Sequence, residues 1–297
     1  MNSIAAFSFI LHDRQGADRL ARFFHSLAAQ NLPTCRLEVC FADTGTNLAV
    51  RELIERFCTS DRDFQLNVVP VQGASAANAW NAALEHCSGL LACVAQPGLR
   101  LDPAFVTSHL EALRRHPEAD VFSADFLQCG EQGTGLVRFH SSPQEQLRQC
   151  DALGPLFALT SKARRILRFR EASPFPGWEL GIHAVQLGLR FHRLRKPLSS
   201  TTPDAWRPGG SAEELARLVT RQSGFFHVDQ VRWALGVLRR SHWAAPLEPA
   251  RLPSPPEIRK LMEQRVRCVR LAGHGQRPVE VLPGPLRRLG VLGAVGA

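Results

Sequence analysis

Short apolar runs alternate with longer segments whose apolar residues recur every three or four positions. Residues 4–11, 65–71 and 90–95 are apolar runs of strand length, and Leu37, Val39 and Phe41 alternate with Glu38 and Cys40 in another strand. Between them, Leu20, Phe23, Phe24 and Leu27 form a helical stripe over 17–30, and Val50, Leu53, Ile54 and Phe57 form a second. An Ala-rich helix over 75–86 and another over 103–115 follow the same period, and 120–124 is a further short strand. Strands that alternate with helices of this length predict right-handed crossovers and a mostly parallel α/β sheet.

The regularity loosens after residue 125. Residues 126–142 are Gly-rich and read as irregular, Ser142-Pro143 opens a helix to about Cys150, 156–160 is a strand and 161–167 a short basic helix. A loop over 171–177 leads into a helix over 178–187 that Gly188 closes, and 190–194 is the last strand. Beyond Pro203 the texture changes: Trp206 to Gly210 is a linker, Ser211 with Glu214 forms a capping box for a helix over 212–221, and further helices cover 229–240 and 256–271. A domain over 1–203 and a helical, Pro-rich extension over 204–297, ending in a Gly/Pro tail, are therefore expected.

Composition narrows the class. The apolar content is that of a globular chain, and no apolar run is long enough to span a membrane. The first residues lack a basic stretch and a small-residue cleavage site, so they read as a strand and the expected location is cytoplasmic. The eight cysteines include no C-x-x-C pair and mostly sit inside apolar segments, which favours reduced thiols used as small core residues over zinc ligands or a disulfide framework. Net charge rises from −1 over residues 1–100 to +7 over 201–297, almost all of it Arg. That basic third fits either a solvated face or contact with an acidic membrane surface or a protein partner. It lacks interleaved aromatics and a recognition motif, which argues against nucleic acid.

Candidate chemistry gathers where strands end, because open α/β sheets bind ligands at their carboxyl edge. His12 ends the first strand, Asp43 the second, and Gln96-Pro97-Gly98 follows the strand at 90–95. Asp43 either accepts from a ligand donor or shapes an Asx turn. Asp102 suits a helix start.

Several strings resemble those of the family 2 glycosyltransferases, which have the GT-A fold. His12 to Gln15 stands where that family has P-T-Y-N, and Phe41 to Thr46 is similar to V-V-D-N-G-S. Ala77 to Ala83 resembles A-x-x-R-N-x-G, Val94 to Pro103 resembles L-L-N-P-D-x-R-L-D-P, and Phe175 to Leu180 falls at F-x-E-D-x-D-L. The resemblance covers about residues 4–200 and implies transfer of a sugar from a nucleotide-diphosphate donor to an acceptor, with His12, Asp43, Asn81 and Gln96 toward the donor. It also implies Mg²⁺ or Mn²⁺ on an acidic motif and a carboxylate base. Here Gln96-Pro97-Gly98 replaces the acidic motif, and Pro176-Gly177 replaces the Glu-Asp pair. Mg²⁺ or Mn²⁺ is expected only if the altered motif still binds. Glu179, with His183 one turn on, is either a displaced base or a first-turn acid of its helix. Phe175 and Trp178 either stack on sugar or pack in a core. Arg164, Arg165, Arg168 and Arg170 either meet the diphosphate or form a solvated face. The alternative to a working transferase is a catalytically silent relative, a pseudoenzyme that binds a nucleotide or a partner.

Overall fold

A computed structural model describes residues 5–272 except 13–15, 32–36, 46, 59–63, 73–74, 96–97, 132, 139–141, 150–155, 172, 203–209 and 245–251. Gln96 and the tail past 272 thus lie outside the described residues. The first half follows the predicted alternation: β1 (Phe7–His12), α1 (Ala17–Ala28), β2 (Leu37–Asp43), α2 (Leu48–Cys58), β3 (Phe64–Pro70), α3 (Ala76–His86) and β4 (Leu91–Ala95). These strands pair in parallel in the order β3-β2-β1-β4. All six residues of β1 are buried, as expected for a central strand covered on both faces.

The second half is mixed. It holds β5 (Arg100–Leu101), α4 (Phe105–Arg115), β6 (Val121–Gly130), β7 (Gly133–Val137), α5 (Pro143–Leu147), β8 (Leu156–Thr160), α6 (Ser161–Ile166), α7 (Pro176–Gln186) and β9 (Phe191–Thr201). The sheet continues β4-β8-β6-β9-β5, with β7 pairing Phe126–Gly130 of β6 beyond the β8 contact at Val121–Ser123. β8 runs antiparallel to both β4 and β6. Two sequence readings are corrected. The stretch expected to be irregular is a hairpin of β6 and β7, whose turn sets Gly133 at φ +113°, where a Cβ would be strained. The last strand runs to Thr201, and a register shift at Ala124–Phe126 takes up the extra residues of its Arg195-Lys196 segment. At that bulge Arg193 donates to both oxygens of buried Asp125, at 2.7 and 2.8 Å.

Helices cover the sheet on both faces. On one, Phe7, Phe9, Phe23, Phe24 and Phe105 pack with α1, α2 and α4, partly edge to face. On the other, Ile10, Cys40, Trp80, Phe157 and Leu180 pack under α3, α6 and α7. A third core joins α7 to the C-terminal helices α8 (Ala212–Arg221), α9 (Val228–Leu238) and α10 (Pro255–Ala272) through Trp178, Ile182, Leu218, Phe226, Trp233 and Ile258. Polar links reinforce it: Trp178 Nε1 donates to the Leu147 carbonyl at 2.7 Å, and Gln230 Nε2 to that of Arg148 at 2.7 Å. The capping box forms as read, with Glu214 N donating to Ser211 Oγ and Ser211 N to Glu214 Oε2.

Two predictions follow from this packing. Trp178→Ala removes a fully buried ring and should cost about 3–5 kcal/mol in a urea titration. Asp120 joins β6 to α6 and β9, accepting from Lys162 Nζ and Arg190 N at 2.9 Å each. Burial pushes its carboxyl up, but the Arg190 N–H and Lys162 outweigh this and hold it below the usual range. Its stabilisation is therefore present above the unfolded carboxylate value of about 3.9 and lost as pH falls through the lower folded value. Asp120→Asn should flatten that acid limb when stability is measured against pH.

Candidate functional site

The register of the parallel strands sets the geometry of the carboxyl edge. His12 pairs with Ala42, so it stands one residue short of Asp43 on the neighbouring strand. Asp43 Oδ1 accepts from Gly45 N at 2.8 Å, and its Oδ2 pairs with Arg51 Nε at 3.1 Å. The Asx turn is thus present, and Gly45 takes φ +76°, where a Cβ would meet the Arg51 guanidinium at 3.1 Å. A carboxylate offers about four lone-pair sites, so acceptor capacity remains for a ligand donor.

His12 is buried edge-on to Trp80, ring centroids 5.3 Å apart. Trp80 tilts against Phe169 at 4.9 Å, and its Nε1 is buried without a hydrogen-bond partner. Asn81 spends its amide on the Phe169 backbone: Nδ2 donates to the carbonyl, and Oδ1 accepts from the N–H, both at 2.8 Å. It therefore fixes the loop that carries Phe169. Reading the sequence missed Trp80 and Phe169 as walls of this edge, although Trp80 occupies the place of Arg in the A-x-x-R-N string.

The family's metal requires oxygen ligands, normally carboxylates. In the described part of the loop after β4, Gly98 has φ +79° and no side chain. Asp102 Oδ1 accepts from Ala104 N at 2.9 Å as α4 begins. Asp43 is already ion-paired. These residues do not fit a Mg²⁺ or Mn²⁺ site.

The other candidates surround α7. Glu179, in its first turn, is only 5% exposed. One oxygen lies 4.0 Å from Arg170 Nε, and the other contacts Arg221 Nη2 of α8 more closely. His183, one turn on, is exposed, so the two residues do not share an environment. Phe175 and Trp178 meet edge to face at 5.9 Å inside the third core, away from solvent. Three of the four cluster arginines are also engaged. Arg164 donates to the carbonyls of Cys87 and Gly89 at 2.7 and 2.8 Å, Arg168 to those of Arg164 and Leu167, and Arg170 faces Glu179.

A sheet of this order, with a carboxylate at the end of β2, belongs to the GT-A class of nucleotide-diphospho-sugar transferase folds. The profile of Glycosyl transferase family 2 matches residues 10–159, and the chain belongs to that family. Its structure is similar to that of Staphylococcus aureus TarS 1-349 in complex with UDP-GlcNAc, with a TM-score of 0.57 and 16% identity over 80% of this chain and 74% of that one. Against the longer TarS chain it covers 43% of that chain. It is also similar to the mannosyltransferase PcManGT from Pyrobaculum calidifontis in complex with GDP-Man and Mn²⁺, with a TM-score of 0.57 and 14% identity over 92% of this chain and 80% of that one. At such identities the likeness is one of fold. No curated protein matches the sequence.

Among the described residues, removing Arg221 would leave the buried Glu179 carboxylate with the more distant Arg170 as its cationic partner. Arg221→Ala should therefore destabilise by about 3 kcal/mol, the low end for a broken buried pair because Arg221 itself reaches solvent. Chemical unfolding of this variant beside Arg221→Lys measures it.

Proposed function

We propose that the chain binds a nucleotide-diphospho-sugar at the carboxyl edge of β1, β2 and β4 and transfers its sugar, with inversion, to an acceptor of glycan or cell-surface polysaccharide synthesis. The observation that carries this reading is Asp43, a carboxylate with spare acceptor capacity at the end of β2, one residue beyond the level of His12. The UDP-GlcNAc and GDP-Man in the neighbouring structures are of the same chemical class and support it. Asp43 receives a base or ribose donor, Asn81 acts through the Phe169 backbone it holds, and Gln96 is assigned to the donor by the family string alone. Without an acidic pair, guanidinium groups must meet the leaving diphosphate, and Arg51 already stands half-exposed beside Asp43.

In the same reading, residues 1–203 are the catalytic unit and 204–297 a helical annex. No helix among the described residues is long and apolar enough to cross a membrane. The basic annex suits contact with an acidic surface at the cytoplasmic face or with a protein partner.

A second reading is favoured by Glu179. Deprotonating an acceptor hydroxyl needs an available base, and two guanidinium groups compete for this carboxylate. A pseudoenzyme that binds the donor or a partner without turnover would keep such a lock.

Calorimetric titration with UDP and GDP, each with and without Mn²⁺, tests the proposal. Metal-independent binding of one nucleotide is expected, weakened about 10–100-fold in Asp43→Ala, as for a lost hydrogen bond to a charged group. No binding of either nucleotide overturns it. Release of nucleotide from UDP-GlcNAc or GDP-Man would then separate transfer from silent binding.

A further inference from the structure

At the opposite end of the sheet, β2 carries Glu38 and Cys40 two residues apart, hence on the same face. Register sets Ser8 of β1 beside Glu38, and Asn67 of β3 beside Cys40. The end of α3 then brings Cys87 over both. We propose that Glu38, Cys40 and Cys87 form a binding site for a thiophilic divalent cation of the zinc class.

The geometry is that of a cation site. One carboxylate oxygen and the two sulfurs all lie within 4.8 Å of one another. Two thiolates and a carboxylate suit Zn²⁺ or Co²⁺, which accept sulfur in tetrahedral sites, far better than Mg²⁺ or Mn²⁺. A water molecule would complete a tetrahedral set. The second shell is also built. Arg164 clamps the Cys87 and Gly89 carbonyls from outside, and Gly89 N donates to Ser8 Oγ, which donates on to Glu38.

Electrostatics points the same way. Glu38 is 3% exposed, and its hydrogen-bond partners among the described residues are all neutral: Ser8 Oγ and Ser88 N on one oxygen, Asn67 Nδ2 and Ser88 Oγ on the other. Among the described residues it has no ion pair with Lys, Arg or His. Burying a carboxylate without a counter-charge is costly, and a cation would supply one. Ligation by a thiol displaces its proton, so uptake is accompanied by proton release. Cys87 is half-buried beside exposed Ser88, which leaves an entry path.

This site is separate from the donor crevice. Glu38 lies five residues before Asp43 on β2, about 16 Å along a strand that rises ~3.3 Å per residue. Its role is to clamp the ends of β1, β2 and β3 to the end of α3, the helix that bears Trp80 and Asn81.

The test is titration of the reduced, chelator-treated full chain with Co²⁺, followed by competition with Zn²⁺. A sulfur-to-cobalt charge-transfer band saturating at one equivalent is expected, together with a higher melting temperature in Zn²⁺. Cys40→Ser and Cys87→Ser should each abolish the band. Glu38→Gln should weaken uptake at least about 10-fold, no less than the loss of an outer-shell partner. Cys129→Ser, at an exposed thiol, should leave it unchanged. Cys87, at a half-buried helix end, is the variant least bound to unfold the chain. Absence of the band, its persistence in Cys87→Ser, or closure of a Cys40–Cys87 disulfide with no metal uptake would overturn the proposal.

Discussion

Helix α7 has no solvated long face to spare, and the rest of the molecule is arranged around that constraint. Leu180 and Ala184 pack down onto the sheet, Trp178 and Ile182 pack outward onto α8 and α9, and Glu179 points between them into two guanidinium groups. A helix that is apolar nearly all round must be buried on every side. Helices from the last third therefore complete the cover, and Arg221 must arrive with them to meet the charge that α7 carries inside. The same contact joins the C-terminal helices to the segment at Phe175–Leu180.

The parts of the fold legible in sequence were those set by local periodicity and local chemistry. The stripe Leu20, Phe23, Phe24 and Leu27 is the buried face of α1, and the Ser211–Glu214 capping box forms as written. Where one local signal masked another, the reading failed. Glycines hid the β6–β7 hairpin because they lack the branched side chains that mark strands. The Arg195-Lys196 pair hid the second half of β9, whose irregularity is a bulge against β6.

Of the candidate site, only the local geometry was legible. Asp43 sits where its string placed it, and the Asx turn is visible in the Asp-Thr-Gly order itself. Contacts that need the tertiary register were not. Asn81 meets Phe169 across 88 positions, and Glu179 meets Arg221 across two helices. Glu38, Cys40 and Cys87 meet because two strands and a helix end coincide. The cysteines read individually as small core residues, and that pattern says nothing of which sulfurs face each other. Charge distribution explains the rest. At the carboxyl end of β2 Asp43 is paired with Arg51, while the other end holds a buried carboxylate, Glu38, among neutral donors.

The division of α7 between two cores also sets a schedule during synthesis. Phe175, Trp178 and Ile182 leave the ribosome well before Leu218, Phe226, Trp233 and Ile258, the residues that will cover them. A nascent chain of about two hundred residues has its sheet in hand but carries an aromatic face still open to water. Such a chain is a substrate for chaperones until the last helices dock, and stalled translation in this window would yield an aggregation-prone fragment.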